Sequence, residues 1–597
     1  MRKILIGLTL FILLVIALVA FAVSNVNGLL EENRETLAGL ASDAAGREVS
    51  FESAEVAFSK GLAVRVAGLR VAEDPRFGKD DFLTLENAFV GIEILPALRR
   101  RIEVSGVRLD QPTIRLIQTS RGYNFASLGA TSDPAASEAP ADPDAQESPL
   151  AVAIAGLEIS DGTLYYEDRT SPDGLSLVIS ELESTGTELT LDGPIAIDFS
   201  GLVRSRRPVA AGLESRLEGA LRLDGIATMA GTLHLESPRM HPALLGIVLD
   251  EGGEPEKLDD LEVDVVLAAD PDKAGIPVRA RSQASRLGGF DLSSIDLDLV
   301  YRTAGRAPKV EIAKLDVGVA GGTIDLEGDI VLGEPGRSPF AIESQLRDLD
   351  SGELATVLLD VPPGMLTGRL AGDVALRGDS LEWESLKRSL AGSLRLELGE
   401  GALEQVNVLN TLVNRLLADP GLGQLAANSL REVAPRSLQG DRTPFEGVDM
   451  ALELINGAIR ADKLEMKAGD FALQAAGTLG LDGKVAADGT IRFSEELSRK
   501  ILAKADEFAP ILGQDGIVVL PLRVSGMASS PTLAPDLAAM TQKATAEAKQ
   551  ELTDRAAKEL GDALFGKKKE DEDPAREAER SSTEDMVREG LGRLLGR

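Results

Sequence analysis

The feature that most constrains the fold is an alternation of apolar and polar residues with a period of two. Leu394, Leu396 and Leu398 alternate with charged residues, and the same pattern recurs in residues 291–299 and 463–467. Successive side chains of a β-strand point to opposite faces of the sheet. The alternation therefore predicts strands with one apolar face and one polar face.

A second regularity is a tripeptide of glycine, a small residue and leucine or isoleucine at the start of many predicted strands. Its glycines are Gly162, Gly219, Gly231, Gly322, Gly392, Gly401, Gly457, Gly477 and Gly489. Glycine after Asp or Asn supplies the positive φ of a tight turn or bulge. The repetition predicts successive hairpins in an extended, curved antiparallel β-sheet, which grows by adding neighbours as solenoid proteins do. A compact β-sandwich is the alternative.

The first thirty residues have the pattern of a membrane anchor. Arg2 and Lys3 precede an uncharged run over residues 4–23, and the next charge is Glu31. Twenty residues in a helix reach about 30 Å, the thickness of a bilayer core. The basic residues predict a cytoplasmic N-terminus with the rest of the chain outside. A cleaved signal peptide is the alternative, because residues 20–22 read Ala-Phe-Ala.

Three predicted helices separate or precede strands. One continues from the anchor over residues 31–45, and one over 409–416 has an apolar face with i, i+3, i+4, i+7 spacing. The third begins after Ser494 as N-cap and ends before Pro510, and it is expected to bury residues as far as Phe508. These helices are expected to cap the sheet.

The composition divides the chain into segments. A linker rich in Ala, Pro, Asp, Glu and Ser has little to bury, so it is predicted to be flexible. The charged tail is interpreted as helical or disordered, with a docking helix as one alternative. We expect a cytoplasmic stub and transmembrane anchor (1–30), an α+β region (31–130), the linker (131–149), a repetitive β region (150–385), a β domain (386–537) and the tail (538–597).

The charge of the chain limits its partners. The formal net charge is -33 at pH 7. A nucleic-acid partner is excluded because phosphate binding needs clustered Lys and Arg. Anionic lipid headgroups are repelled as well, so contact with lipid has to use an apolar surface.

The sequence offers little catalytic chemistry. It contains no cysteine, and His234 and His241 are its two histidines. There is no nucleophile elbow, phosphate-binding loop or His-Glu-x-x-His zinc motif. Carboxylate pairs such as Asp80 and Asp81 are interpreted as solvated surface. We therefore predict no enzyme activity, no metal site and no cofactor.

Several segments are informative when taken in order. They are Gly46-Arg47, the stretch from Pro112 to Leu116 followed by Gly122-Tyr123-Asn124-Phe125, the element from Leu157 to Asp168, and the run from Gly392 to Gly526 that closes on Leu520-Pro521-Leu522. In this order they resemble the AsmA-like family of membrane-anchored envelope proteins. The charged tail beyond Leu537 departs from that pattern.

The resemblance implies a single-pass protein of the bacterial inner membrane whose large C-terminal part lies in the periplasm. It implies a role in outer-membrane biogenesis and lipid homeostasis. Larger relatives form a long β groove that moves phospholipid between the inner and outer membranes. The expected partners are the inner membrane, through residues 4–23, phospholipid, and outer-membrane or envelope proteins.

A curved sheet with one aliphatic face suits acyl chains, since each buried CH2 contributes ~0.8 kcal/mol. The alternative is an ordinary core beneath the helices at 409–417 and 497–508. A second hypothesis is a scaffold or assembly factor that offers strand edges to outer-membrane proteins. The expected groove residues are Leu394, Leu396, Leu398, Leu452, Leu454, Leu464, Met466, Phe471, Leu473, Leu520, Leu522 and Val524.

Overall fold

The structure is a computed structural model. The predicted anchor, the predicted linker and nearly all of the tail lie outside the described residues. No helix of the described part is both long and apolar enough to cross a membrane. The structure describes residues 34–58, 62–93, 104–128, 154–170, 174–189, 193–225, 229–249, 254–304, 307–333, 336–359, 361–417, 422–433, 438–455, 457–481, 483–503, 515–528 and 530–536, with isolated residues beyond 536.

The chain divides into two compact units. The first comprises residues 1–319 and 324–333, and the second comprises residues 320–323 and 334–597. Strands dominate the described residues of both, and most neighbouring strands pair antiparallel. The prediction of a mainly β protein with a curved antiparallel sheet and few helices is thereby confirmed.

The first unit begins with a helix packed on a sheet. Leu37 and Ala41 of the helix are almost fully buried against apolar residues of the adjacent strands. The elements are α1 (Arg34–Ala45), β1 (Val49–Ser50), β2 (Ser53–Phe58), β3 (Leu62–Ala72), β4 (Asp81–Ile92), β5 (Val104–Asp110), β6 (Thr113–Thr119), β7 (Gly122–Tyr123), a 3-10 turn (Asn124–Ser127) and β8 (Ile154–Asp168).

Strand β8 departs from the predicted antiparallel arrangement. It runs parallel to β5 along its first half and parallel to β6 along its second half. Gln111, between β5 and β6, and Asp161, within β8, both have positive φ. The two paired segments bend together at these residues. Parallel pairing needs a crossover of a dozen or more residues, and the chain between β7 and β8 is long enough. The alternation alone does not distinguish these directions.

The remaining strands of the first unit form successive hairpins, as predicted. Each strand from β8 to β15 pairs antiparallel with the next along the chain, ending with the pair β15 and β16. The elements are β9 (Ser176–Leu189), β10 (Ile195–Ser205), a 3-10 turn (Pro208–Ala210), β11 (Glu214–Leu223), β12 (Gly231–Met240), a second 3-10 turn (Pro242–Leu245), β13 (Lys257–Leu267), α2 (Pro271–Ala274), β14 (Ile276–Leu287), β15 (Phe290–Arg302), β16 (Lys309–Val319) and β17 (Gly322–Val331).

Bulges bend this sheet near one edge. Strands β10, β12 and β14 end on the same side of the sheet. We call this side the capped edge of the first unit. Glu181, Asp260 and Ala284 lie near it with positive φ, and the register shifts at each of them. A bulge inserts an extra residue and bends its strand. The three bulges lie at similar distances from the capped edge, so together they bend the sheet near that edge.

The second unit contains a main sheet, a small sheet and most of the helices. The main sheet has the order β18-β20-β21-β24-β25-β26-β27-β28-β29, and the small sheet has the order β19-β22-β23. The elements are β18 (Phe340–Asp350), α3 (Ser351–Leu359), β19 (Leu366–Thr367), β20 (Arg369–Gly378), α4 (Trp383–Ser389), β21 (Ala391–Leu398), β22 (Gly401–Leu403), α5 (Val408–Leu417), α6 (Leu422–Val433), β23 (Thr443–Phe445), β24 (Gly447–Ile455), β25 (Ala458–Lys467), β26 (Phe471–Gly480), β27 (Lys484–Phe493), α7 (Glu495–Leu502), β28 (Val519–Met527) and β29 (Ser530–Pro535).

The helix predictions hold in part. Helix α5 matches the predicted apolar face, and the Ser494 hydroxyl caps α7 by accepting a hydrogen bond from the backbone N–H of Leu497 (3.2 Å). Phe508 was predicted to be buried, but it lies in residues 504–510, which are outside the described residues. Helices α2, α3, α4 and α6 were not predicted. Helices α2 and α4 are short, and α3 follows its strand without a separating loop, so the strand pattern hides its start.

Candidate functional site

Cross-strand register places the predicted groove residues on one face of the main sheet of the second unit. Partners in register lie opposite one another, so a row of side chains crosses the strands. One row consists of Leu398, Val448, Met466, Leu473, Ile491 and Leu520. A second row, four or five residues further along each strand, consists of Val374, Leu394, Leu452, Ala461, Gly477, Ala487 and Val524.

Helices cover one end of this face. Side chains of α5, α6 and α7, such as Leu412, Leu416 and Ile501, are buried against it. Five predicted groove residues lie in this closed core and are at most 6 % exposed. These five residues belong to an ordinary core and not to an open groove. They are Leu398, Met466, Phe471, Leu520 and Leu522.

The remaining predicted residues lie at the margin of this core or beyond it. Leu464, Leu473 and Val524 are half-buried and pack against the covered core. Leu394, Leu396 and Leu452 are also half-buried but do not belong to that core. Leu454 is buried, at 5 % exposure, without belonging to it.

We call the second row the open floor. It is defined by Val374, Leu394, Leu452, Ala461, Gly477, Ala487 and Val524, all of which are half-buried. None of these side chains is charged. Leu394 and Leu452 lie outside the core that α5, α6 and α7 cover, whereas Val524 packs against the margin of that core. The open floor is therefore a half-buried apolar surface that lies mostly beyond the covered core.

The backbones of β26 and β27 approach closely at the open floor. A Cβ added to Gly477 would lie 2.4 Å from the carbonyl oxygen of Ala486 and from the Cα and Cβ atoms of Ala487, its partner in register. A side chain at this position would collide with the neighbouring backbone, so glycine is needed here. Gly477 and Ala487 therefore leave the floor without bulky side chains between β26 and β27.

The opposite face of the same strands is charged and exposed. Arg460 pairs with Glu453 (2.7 Å), and Arg523 pairs with Asp488 (3.0 Å). The hydrogen bond with Asp488 raises the pKa of Arg523 above its ordinary value. Charge and apolar surface are thus separated onto opposite faces of one sheet, as the alternation predicts.

The first unit has an equivalent apolar row that the sequence analysis did not assign to the site. All of its members are half-buried, and each lies in register with the next. Alternation places Leu299 on the apolar face of its strand. Only the cross-strand register shows which residues of the other strands lie in the same row. The row consists of Ile197, Leu221, Leu233, Val265, Val278, Leu299 and Ile312.

A buried polar cluster near the start of the first unit has a structural role. Arg47 forms an ion pair with Glu73 (3.1 Å), and the Asn124 amide donates to the same carboxylate (2.6 Å). A guanidinium N–H of Arg47 also donates to the backbone carbonyl of Asn124. Burial lowers the pKa of Arg47, and the Glu73 charge opposes this shift. These contacts tie the turn at Asn124–Ser127 to the end of α1.

The described residues show no metal centre. No group of three or more His, Asp or Glu side chains among them is arranged to hold an ion. His234 lies between Glu236 (2.8 Å) and Asp264 (2.7 Å) on the exposed face of the first unit. Hydrogen bonds to these two carboxylates raise the pKa of His234.

Comparison with known proteins gives one match. Residues 1–202 match the family model described as the AsmA family. The matched range includes the predicted anchor, α1, the buried Arg47–Glu73–Asn124 cluster and most of β10. No curated protein and no solved structure matches the chain.

Proposed function

The chain is AsmA-like by its residues 1–202, and from this premise we propose that it holds phospholipid acyl chains on the apolar inner faces of its sheets. In this proposal residues 4–23 anchor it in the bacterial inner membrane and the sheets lie in the periplasm. Its role is in outer-membrane biogenesis and lipid homeostasis, by carrying phospholipid between the two membranes.

The open floor carries this proposal. It crosses seven strands, which at ~4.8 Å per strand gives about 29 Å between the outer two. One leaflet of a bilayer core is about 15 Å thick, so an acyl chain fits within this length. Each methylene buried on the floor contributes ~0.8 kcal/mol. Water is a poor partner for this uncharged apolar surface, and a hydrocarbon chain is a good one.

The charge distribution supports the same proposal. Charged side chains occupy the outer face, where they remain solvated. An acyl chain on the inner face keeps its headgroup in water and away from most of the protein's negative charge. Binding and carriage of this kind need no catalytic side chain, so we propose that the protein is not an enzyme.

The edge strand β29 gives the scaffold hypothesis less support. Strand β29 pairs with β28 on one side, and its other side has no strand partner among the described residues. Pro531 and Pro535 lie in β29 and have no N–H to donate to an added strand. This edge is therefore a poor template for a partner's strand.

Photo-crosslinking tests the proposed function in the full chain. Leu452 and Glu453 are adjacent on β24 and face opposite sides of the sheet, one half-buried and one exposed. A photoreactive benzoylphenylalanine replaces each in turn, in cells grown with radiolabelled phosphate. We expect labelled phospholipid attached at position 452 and none at position 453. Attachment of a protein at 452 without lipid would support the scaffold instead.

A further inference from the structure

A second apolar surface lies at the capped edge of the first unit. We call residues 242–249 the strap, because they follow β12 and cross the end of the sheet. Leu245, Ile247 and Leu249 of the strap are 46 %, 50 % and 64 % exposed. Val209, in the neighbouring turn at Pro208–Ala210, is 49 % exposed. Isolated exposed apolar residues are common in proteins, but four on adjoining segments mark an interaction surface.

The strap is held in a fixed position. The carboxylate of Glu256, which is 5 % exposed, accepts hydrogen bonds from the backbone N–H of Leu249 (3.0 Å) and of Gly288 (2.9 Å). Gly246 adopts φ 80°, which reverses the chain direction after the 3-10 turn. The strap is therefore a hydrogen-bonded segment that exposes these side chains to solvent.

The strap is continuous with the apolar face of the first unit. On its inner side, Ala243 and Leu244 are buried against Val203. Leu217 and Leu261 pack against the same group while half-buried. Leu217 shares a strand face with Leu221, and Leu261 shares one with Val265, because each pair is four residues apart. The strap is thus the rim of the apolar row that contains Leu221 and Val265.

An arginine side chain lies beside this rim. Arg207 directly precedes the turn that carries Val209, and its Nη1 atom is 2.7 Å from the position that a Cβ would take on Gly246. Arg204 and Arg206 lie on the opposite, charged face of the strand end, where Arg204 pairs with Glu214 (2.9 Å). A guanidinium group matches phosphate in geometry and charge, so the rim combines apolar groups with one cationic group.

We propose that this rim is where membrane phospholipid is loaded onto the apolar face of the first unit. Acyl chains contact Leu245, Ile247 and Leu249, while the phosphate contacts Arg207. This inference rests on the proposed function and adds the position at which lipid joins the sheet.

A double substitution, Ile247→Asp with Leu249→Asp, tests the loading site in the full chain. Lipid is detected with the photoreactive residue at Leu233, on the apolar row of the same unit. We expect attached phospholipid to fall by about tenfold, the ratio that 1.4 kcal/mol corresponds to. The control is Val266→Asp, an apolar residue 47 % exposed elsewhere in the same unit, which is expected to leave the signal unchanged.

A second measurement avoids the effect of the double substitution on folding. The photoreactive residue is placed at Leu249 in the otherwise unchanged chain, and we expect attached phospholipid there. Loss of signal at Leu233 in the variant together with lipid at Leu249 supports the loading site. An unchanged signal at Leu233, or no lipid at Leu249, contradicts it while the proposed function stands. Absence of lipid at both Leu233 and Leu452 in the unchanged chain overturns the proposed function itself.

Discussion

Single residues in this protein show which polar groups build the fold and which face water. The Asn124 side chain is fully buried, donates to Glu73 and to the backbone carbonyl of Arg115 (2.8 Å), and accepts from the backbone N–H of Ile117 (3.0 Å). The motif Gly122-Tyr123-Asn124-Phe125 carries part of the resemblance to the AsmA-like family. Its asparagine has a structural explanation, because it satisfies buried groups that have no access to water.

Asn124→Ala is expected to destabilise the first unit by about 2–4 kcal/mol, since it leaves buried polar groups without partners. All four tyrosines lie in the first unit, so urea unfolding followed by the near-ultraviolet tyrosine signal reports on it. The control Asn414→Ala removes an exposed amide from α5 and is expected to change this transition by less than about 0.5 kcal/mol. Equal effects of the two substitutions would contradict the structural role of Asn124.

His234 is expected to titrate above its ordinary pKa, because Glu236 and Asp264 stabilise the charged imidazole. A raised pKa in the folded state means that this contribution to stability is fully present below the unfolded pKa of about 6.5. It is lost as pH rises through the folded pKa. NMR titration of the ring protons measures the midpoint, and Glu236→Gln with Asp264→Asn is expected to lower it. An unchanged midpoint would show that these carboxylates do not hold the ring.

At the scale of elements, much of the fold can be predicted from alternation and much cannot. Alternation identifies strands such as β21 and assigns Leu394 to the apolar face. It does not reveal the bulge in β25, where the register shifts between Ala461 and Leu464 so that both residues stay on that face. Nor does it show that Leu398 is covered while Leu394 stays half-buried outside the covered core, because the packing of α5, α6 and α7 decides this.

The close approach of β26 and β27 is expected to depend on Gly477. Gly477→Leu places a side chain against Ala487, where even a Cβ lies 2.4 Å from its neighbour. Overpacking of this kind costs about 1–3 kcal/mol. The single tryptophan, Trp383, lies in the second unit, so thermal unfolding followed by its fluorescence reports the loss. Gly469→Ala, where no heavy atom lies within 4 Å of the added Cβ, is the control. A variant as stable as this control would argue against the close approach.

At the scale of the whole molecule, composition and architecture agree. A chain with 4 % aromatic residues and a net charge of -33 has to build its apolar surfaces from aliphatic side chains and keep its charges on the outside. Each unit does so with a sheet of one apolar and one charged face. Part of each apolar face is closed by helices or turns, and a half-buried apolar row lies beyond each closed part. We propose that these half-buried rows carry acyl chains.

A photo-crosslinking scan along β21 in the full chain tests this claim most directly. The photoreactive residue replaces Ser393, Leu394, Arg395, Leu396 and Leu398 in turn, and attached radiolabelled phospholipid is measured at each position. We expect lipid at 394 and 396, none at the outward-facing 393 and 395, and little at 398, which the helices cover. Equal labelling at all five positions, or none at 394 and 396, would show that the apolar face does not hold acyl chains.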